Sequence, residues 1–308
     1  MNQHIRTIAI LGAGAVGSYL VMGLSDKYKE NLWVIADGER KDRLAKNGLN
    51  INDKVYSLHI KTPAEAHGVD LLFVCTKYTQ LRDSLPDIET ITDKHTMVVS
   101  LLNGVDSEEL IGQRIGMEHM IYSLIRIASH RIGNSIHFSL PKGYNGIYIG
   151  IPNQPACQDP RLAAIAEIFA DTPVTLHLSD DILLDMWDKF GLNVSRNLPQ
   201  AILGVGIGVY DDSIYADAIM RRMRHEVVLV ANAKGIPLTD EFKAAKWLPS
   251  QRYSTLQDLD AHRHTEIDMF SGALIRMGKA VGVECPYNEM TYNLIKALEE
   301  KNDGKFDY

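Results

Sequence analysis

A glycine-rich turn near the N-terminus constrains the fold of this chain more than any other feature of its sequence. The motif G-x-G-x-x-G follows an apolar run typical of a buried strand, Ile5–Leu11, and opens a helical segment, Ala15–Leu24. The first glycine permits a tight turn, the second lets the backbone approach a pyrophosphate, and the third lets helix and strand pack closely. The helix N-terminus then offers free N–H groups to the phosphates. We therefore expect a dinucleotide-binding unit whose cofactor contacts include Gly12, Ala13, Gly14, Ala15, Val16 and Gly17.

The residue that follows the second predicted strand bears on the choice of cofactor. Leu32–Ala36 has strand character, and Asp37 comes directly after it. An acid at this position hydrogen-bonds the adenosine ribose of NAD, whereas a 2′-phosphate is held by a nearby basic residue. Asp37 therefore favours NAD. Two alternatives stay open: Asp37 only caps the next helix while Arg40 holds a phosphate, or the glycine-rich turn binds no nucleotide at all.

The rest of the first half alternates strands and helices. Leu71–Cys75 and Met97–Leu102 are further apolar strands with helical stretches around them. This alternation predicts a mostly parallel sheet covered on both faces. We expect additional strands to extend that sheet, and Val174–Leu178 to be the last of its strands. The additional strands are Ile121–Ile127, Ser135–Phe138 and Ile147–Ile151.

The character of the chain changes after Ser179, and every predicted element beyond it is a helix. The predicted helices are Ile182–Arg196, Ile214–Ala233, Tyr253–Ala261 and Glu266–Val281. The sequence thus predicts an α/β protein in which residues 1–178 form a Rossmann-type dinucleotide-binding domain, with a mostly parallel sheet and extra strands. Residues 179–308 are expected to form an all-helical domain that carries the substrate and catalytic site.

Charge, cysteines and hydropathy exclude several classes of function. The net charge is −7 and no block of Lys or Arg stands out, so we expect no nucleic-acid partner. No apolar run is long enough to span a membrane, and the first residues lack the pattern of a signal peptide. The three cysteines are scattered and form no C-x-x-C pair, which is typical of reduced thiols. These features predict a cytoplasmic protein with no membrane partner.

A polar stripe marks the first helix of the predicted second domain. Lys189, Asn193 and Asn197 are spaced i, i+4 and i+8, which places them on one helix face among apolar neighbours. Buried amides and a buried ammonium group need partners, and a polar substrate would supply them. The alternative is a polar network in the core, or a lysine that reaches solvent from the helix edge.

A second polar cluster lies downstream. Ser254 and Asp258 are again four residues apart, and Glu266 is predicted to begin an apolar helix. The alternative for Glu266 is a first-turn carboxylate that only complements the helix dipole. His262 and His264 have no metal-binding spacing around them, so we expect no metal.

Six segments together give the chain a resemblance to the ketopantoate reductases (2-dehydropantoate 2-reductases) over nearly its full length. They are GAGAVG at Gly12–Gly17, CTKYTQ around Lys77, LLNGV around Asn103, WDKFGLNVSRN at Trp187–Asn197, STLQD at Ser254–Asp258 and HTEID at His264–Asp268. The resemblance implies reduction of a 2-oxo acid, ketopantoate, to the 2-hydroxy acid pantoate with NADPH, the cofactor usual in this family. The small-molecule substrate is then the main partner, and a homodimer is possible.

The resemblance also implies residue roles. Lys189 would protonate the nascent alkoxide, and Glu266 would hold that lysine and approach the cofactor. Asn193, Asn197 and Ser254 would bind substrate, with Asp258 near the pocket. Asn103 would contact both cofactor and substrate, and Lys77 and Ser129 would contact the cofactor.

The chain departs from the family pattern at three positions: Asp37 replaces an arginine, Ser271 precedes Gly272 where asparagine is usual, and a further substrate asparagine has no counterpart near Ile207. Two alternatives therefore stay open. One is a related dehydrogenase with another 2-oxo or 3-hydroxy acid substrate, and the other is a non-catalytic protein that senses NAD(P).

Overall fold

The structure, a computed structural model, describes residues 4–139, 145–242, 248–306 and 308. The chain divides into two units, Met1–Leu183 and Leu184–Tyr308. The strands of the first unit are β1 Ile8–Leu11, β2 Leu32–Ile35, β3 Leu49–Ile51, β4 Lys54–Tyr56, β5 His59–Lys61, β6 Leu71–Val74, β7 Met97–Ser100, β8 Met120–Arg126, β9 Ala128–Ile132, β10 Ser135–Ser139, β11 Gly146–Gly150 and β12 Leu176–Leu178. Its helices are α1 Ala15–Tyr28, α2 Gly38–Asn47, α3 Tyr78–Ile91, α4 Ser107–Ile115 and α5 Pro160–Phe169.

The main sheet has eight strands in the order β12-β11-β8-β7-β6-β1-β2-β5. All neighbouring strands in it are parallel except β8 and β11, which run antiparallel. Side chains alternate between its faces: Ile8 and Ile10 of β1 pack in the core under α1 and α5, whereas Ala9 and Leu11 pack in the core under α3 and α4. This is the covered, mostly parallel sheet that the alternation of elements predicts.

A second sheet of four strands, in the order β4-β3-β10-β9, holds a segment that the sequence analysis assigned to the main sheet. The expectation that Ser135–Phe138 extends the main sheet is therefore wrong. The two-residue turn at Gly133 and Asn134 folds β10 back on β9, and β10 then pairs in parallel with β3. Phe138 packs against Tyr19 of α1, with ring centroids 5.4 Å apart, so the apolar face of β10 covers that helix instead.

The regular elements that the structure describes in the second unit are all helices. Helix α6, Ile182–Leu192, leads into a π-helical turn, Asn193–Asn197, and continues as α7, Leu198–Leu203. The remaining helices are α8 Val209–Asp212, α9 Ile214–Ala233, α10 Ser254–Asp260, α11 Ser271–Val281 and α12 Pro286–Asn302. The predicted fold class, a mostly parallel sheet with extra strands followed by a helical region, is confirmed.

One helix begins later than predicted. Helix α11 starts at Ser271, and residues 266–270 form turns in which Met269 N and Phe270 N donate to Glu266 O at 3.0 and 3.2 Å. Glu266 therefore precedes the helix by five positions, and the alternative that it only complements the dipole in a first helical turn does not apply.

Candidate active site

The glycine-rich turn has the geometry of a phosphate cradle. Gly12 has φ +110°, and a Cβ there would lie 2.6 Å from the Cys75 carbonyl. A Cβ on Gly17 would lie 2.0 Å from Gly12 O, so helix and strand approach as closely as only glycine allows. A Cβ on Gly14 would meet nothing within 4 Å, and this residue begins α1 without any side-chain cap. The first and third glycines are thus required by packing, while the second leaves open space before the N–H groups of α1, which fits a bound pyrophosphate.

A cavity of about 250 Å³ lies beside this turn, at the carboxyl ends of β1 and β2. Leu11, Ile35 and Ala36 form its apolar wall, a surface suited to an adenine ring. Thr76 Oγ1 also lines it and is buried with no hydrogen-bond partner among the described residues, which leaves a polar atom for a ligand. Both features fit the adenosine half of a dinucleotide.

The polar lining of the cavity is mainly acidic. Asp37, Asp83 and Asp87 face it, with Arg40 as its one cationic side chain among the residues that the structure describes there. Burial raises the pKa of Asp87, and the nearby charge of Asp37 raises it further. Asp37 precedes α2 but makes no side-chain cap hydrogen bond, so its carboxylate is not used to cap that helix.

Two further predicted cofactor residues follow neighbouring strands. Lys77 comes after β6, is exposed and precedes the first turn of α3, while Asn103 follows β7 and is half-buried. Because β1, β6 and β7 are parallel neighbours, these residues share the edge of the sheet with the glycine-rich turn. Ser129 lies elsewhere: it is half-buried in β9 of the second sheet, opposite Phe138.

The three residues of the polar stripe on α6 differ in burial. Lys189 and Asn193 are half-buried, whereas Asn197, the last residue of the π turn, is only 1% exposed. Asn197 Nδ2 donates to Ser254 Oγ at 3.2 Å, and its Oδ1 accepts from Thr255 N at 3.1 Å. These bonds join the last residue of the stripe to the second predicted substrate segment.

The other predicted residue of α10 is engaged in its own turn. Asp258 Oδ1 accepts from Arg263 Nε at 2.8 Å, and Arg263 N donates to Asp258 O at 2.9 Å. These bonds close the loop after α10. The structure therefore gives the Asp258 carboxylate a protein partner, while Ser254 stands exposed at the start of the same helix.

Residues on both sides of Glu266 in the sequence form hydrogen bonds with α12. Thr265 donates through both N and Oγ1 to Glu299 Oε1, each at 2.7 Å. Asp268 accepts from Tyr292 OH at 2.7 Å and from Lys296 Nζ at 2.8 Å. The half-buried Glu266 lies between these two attachments, so the backbone that carries it is fixed on both sides.

A buried arginine that the sequence analysis did not single out supports α6. Arg224 is 1% exposed, and its guanidinium donates to Asp188 Oδ1 at 3.1 Å and to Thr239 O at 2.9 Å. A Cβ on Gly191 would lie 2.2 Å from Arg224 Nη1, so a glycine is needed where the guanidinium crosses the helix. Asp188 is the neighbour of Lys189, and Arg224 thus holds the turn that carries the predicted proton donor. Its position in the middle of α9, among other charged residues, gave no signal in the sequence.

Comparison with known proteins matches both units. The model described as "Ketopantoate reductase PanE/ApbA" matches residues 8–154, and "Ketopantoate reductase PanE/ApbA C terminal" matches residues 181–299. The chain belongs to the ketopantoate reductase family. The family prediction made from the six segments is confirmed, and both the Lys189 and Glu266 segments fall within the C-terminal match.

Individual relatives of this ketopantoate reductase family member are distant but cover it almost fully. The 2-dehydropantoate 2-reductase of Streptococcus pyogenes serotype M3 (strain ATCC BAA-595 / MGAS315) is 27% identical over 95% of this chain and 97% of its own. A family ketopantoate reductase of Ralstonia eutropha JMP134 is 25% identical, with TM-score 0.78 over 96% of this chain and 99% of its own. A D-mandelate dehydrogenase solved with NADH is 27% identical, with TM-score 0.82 over the same shares. The chain is an NAD(P)-dependent oxidoreductase that acts on a CH–OH group.

Two other kinds of site are absent from the described residues. Among the described residues of this ketopantoate reductase family member, no group of three or more His, Cys, Asp or Glu side chains could hold a metal ion. Within the same part of the chain, no helix combines the length and apolar character needed to cross a membrane.

Proposed function

We propose that this chain reduces a 2-oxo acid to the corresponding 2-hydroxy acid, with ketopantoate as the first substrate to test. The observation that carries the proposal is the contact of Asn197 with Ser254, which joins two predicted substrate segments whose contact residues lie 57 positions apart in the chain. The S. pyogenes and R. eutropha relatives, both named as reductases of this substrate, support it.

The glycine-rich turn and the cavity beside it would hold the dinucleotide. The first-turn N–H groups of α1 would bind the pyrophosphate, and the apolar wall of Leu11, Ile35 and Ala36 would receive the adenine. Lys77 and Asn103, at the same sheet edge, would contact its remaining part. When bound, the reduced nicotinamide supplies a hydride to the carbonyl carbon of the substrate.

The helical unit would supply the acid and the substrate contacts. Lys189 Nζ would give a proton to the carbonyl oxygen and stabilise the negative charge that develops there. Glu266 would keep the ammonium group charged and oriented. Asn193 and Ser254 would fix the carboxylate and hydroxyl groups of the substrate, and so orient its carbonyl.

We further propose that NADH serves at least as well as NADPH. The cavity offers three carboxylates and one arginine to the adenosine, and Asp37 stands where an acid binds ribose hydroxyls. A 2′-phosphate would meet like charge at short range, about 4 kcal/mol of repulsion for unit charges about 4 Å apart at an effective dielectric near 20.

A second candidate substrate class is supported by two observations. The D-mandelate dehydrogenase relative was solved with NADH, and this chain has the buried, apolar Ile207 near the position where the ketopantoate reductases that it resembles carry a further substrate asparagine. A pocket without that amide would suit a 2-oxo acid with an apolar side chain, such as the oxo acid that corresponds to mandelate.

A substrate panel tests the proposal. The purified chain is assayed with ketopantoate and with 2-oxo acids that bear aliphatic or aromatic side chains, each with NADH and with NADPH. We expect turnover of at least one 2-oxo acid, and Lys189→Ala should reduce kcat about 10²–10⁴-fold. Absence of turnover, with cofactor binding retained by calorimetry, would favour the non-catalytic sensor instead.

A cytoplasmic location is also proposed, and it is supported by three cysteines, Cys75, Cys157 and Cys285, that form no disulfide.

A further inference from the structure

Helix α10, which begins with Ser254, starts without a cap of its own. Tyr253 precedes the helix and makes no side-chain cap hydrogen bond. The first N–H groups of any helix need partners from outside the helix. For Thr255 N in the first turn of α10, and for Tyr253 N directly before it, the partners are two side-chain amides on the segment that follows α6.

Asn197 is the first of these amides and acts as a cap from another helix. Its Oδ1 accepts from Thr255 N at 3.1 Å, the bond that an N-cap side chain would normally make. Its Nδ2 donates to Ser254 Oγ at 3.2 Å. Since Asn197 is 1% exposed and lies in the π turn, both halves of its amide are committed to α10.

Gln200, one turn further along α7, is the second amide. It is fully buried, its Oε1 accepts from Tyr253 N at 2.8 Å, and its Nε2 donates to Gln251 O at 2.8 Å. Because Tyr253 N can only donate and Gln251 O can only accept, the oxygen and nitrogen of the Gln200 amide have one possible assignment. Neither bond involves a group expected to touch substrate.

We propose that Gln200 is a positioning residue for substrate binding. Together with Asn197 it holds residues 251–255 so that the Ser254 hydroxyl is presented in one place. The inference rests on the proposed function, which makes Ser254 a substrate ligand. Asn197, whose amide is bonded to Ser254 and Thr255, supports Ser254 in addition to any substrate contact of its own.

The π turn connects the two halves of this arrangement. Asn197 is its last residue, and α7, which carries Gln200, begins directly after it. Tyr210 OH donates to Arg196 O within this turn and so satisfies a carbonyl there.

Gln200→Met, which keeps side-chain length but makes neither bond, is the principal test. We expect KM for the oxo acid to rise about tenfold, which corresponds to about 1.4 kcal/mol, while kcat and the Kd of the reduced cofactor change little. Asn232→Ala is the matched control, since it also removes two hydrogen bonds between a side-chain amide and the backbone, here to two carbonyls at 2.9 and 3.0 Å, but lies at the end of α9. Its KM should equal that of the wild type.

A double-mutant cycle separates positioning from general destabilisation. In a Ser254→Ala background, Gln200→Met should barely change KM, because the group that it positions is gone. Amide hydrogen exchange at Tyr253 should be faster in Gln200→Met, and it is measured on the intact protein without reference to activity. If Gln200→Met does not fold, Gln200→Glu, which retains the acceptor for Tyr253 N, takes its place in the cycle.

The outcomes distinguish this inference from the proposed function. If Ser254→Ala leaves KM unchanged, Ser254 is no substrate ligand, and both the proposed site and this inference fail. If Ser254→Ala raises KM but Gln200→Met stays within about twofold of the wild type, or if the two effects multiply, only the positioning role is overturned.

Discussion

Lys41 Nζ lies 3.1 Å from Glu65 Oε2, and this ion pair is formed by the helix that begins beside the cofactor cavity. Glu65 also accepts from Thr62 N at 2.7 Å, and these hydrogen bonds lower the pKa of Glu65 to about 2. Lys41, which could have offset the charge of Asp37, is thereby tied to a carboxylate outside the cavity lining. Arg40 is left to oppose three carboxylates.

From this arrangement we expect Asp37→Arg to shift cofactor preference toward NADPH. Removal of the repulsion and addition of a phosphate partner should change the ratio of kcat/KM for the two cofactors by roughly tenfold or more. Asp37→Asn, which removes charge without adding a donor of opposite sign, should give an intermediate ratio. A wild-type preference for NADPH of about a hundredfold would show that Asp37 does not govern the choice.

Lys189 and Glu266 should act as one catalytic unit. Lys189→Ala removes the proton donor, so adding Glu266→Gln should slow the reaction scarcely further. Steady-state kcat of both single variants and the double variant measures this, with Lys279→Ala, an exposed lysine of α11, as the unaffected control. Rate losses that multiply would mean that the two side chains act independently.

Glu108 should make stability fall as pH rises toward neutrality. This carboxyl is fully buried, and burial raises its pKa from 4.5 to about 7 although Ser107 Oγ donates to it at 2.8 Å. A raised pKa in the folded state means that the stabilisation of the protonated form is complete below pH 4.5 and is lost by about pH 7. Glu108→Gln should remove this dependence and be more stable than the wild type at pH 8, by an amount on the order of 2 kcal/mol.

Urea unfolding at pH 5 and pH 8 checks the role of Glu108. The exposed neighbour Glu109 provides the control, since Glu109→Gln should leave the pH profile of the wild type unchanged. A Glu108→Gln profile parallel to that of the wild type would assign the pH dependence to other groups.

Substitution of Arg224 should lower the free energy of unfolding far more than substitution of Arg221 on the same helix. Arg224→Met leaves the Asp188 carboxylate and the Thr239 carbonyl without their buried partner, which typically costs about 3–5 kcal/mol. Arg221 forms an exposed pair with Asp217 on the same helix, and Arg221→Ala should cost under about 0.5 kcal/mol. Denaturant unfolding of the two variants compares them, and equal losses would contradict a supporting role for Arg224.

Sequence patterns predicted the elements that carry their own signals. Helix α9 occupies Ile214–Ala233 as predicted, because its apolar period is regular and Ser213 caps it by accepting from Ala216 N. The glycine-rich turn was equally readable, since its first and third glycines each have a steric reason and its second leaves open space. These features, with the six matching segments, were sufficient for the fold class and the family.

Features that depend on distant partners were missed or misplaced. Helix α12 begins at Pro286, a residue suited to a first helical position, but no helix was predicted beyond Val281. That omission hid Lys296 and Glu299, which fix the segment around Glu266. The π turn has no periodic signature, and the contacts of Asn197 with α10 join residues 57 positions apart, so neither could be foreseen. The catalytic roles of Lys189 and Glu266 remain predictions.

The parallel pairing of β3 with β10 joins two strands that are synthesised at well-separated times. Asn50 is the register partner of Ser135, so the β3–β4 hairpin emerges long before the strand that completes its sheet. Until β10 has left the ribosome, β3 exposes an edge of unpaired N–H and C=O groups, the surface on which strands from other chains add. The edge of β3 therefore stays unpaired while about 85 further residues are synthesised.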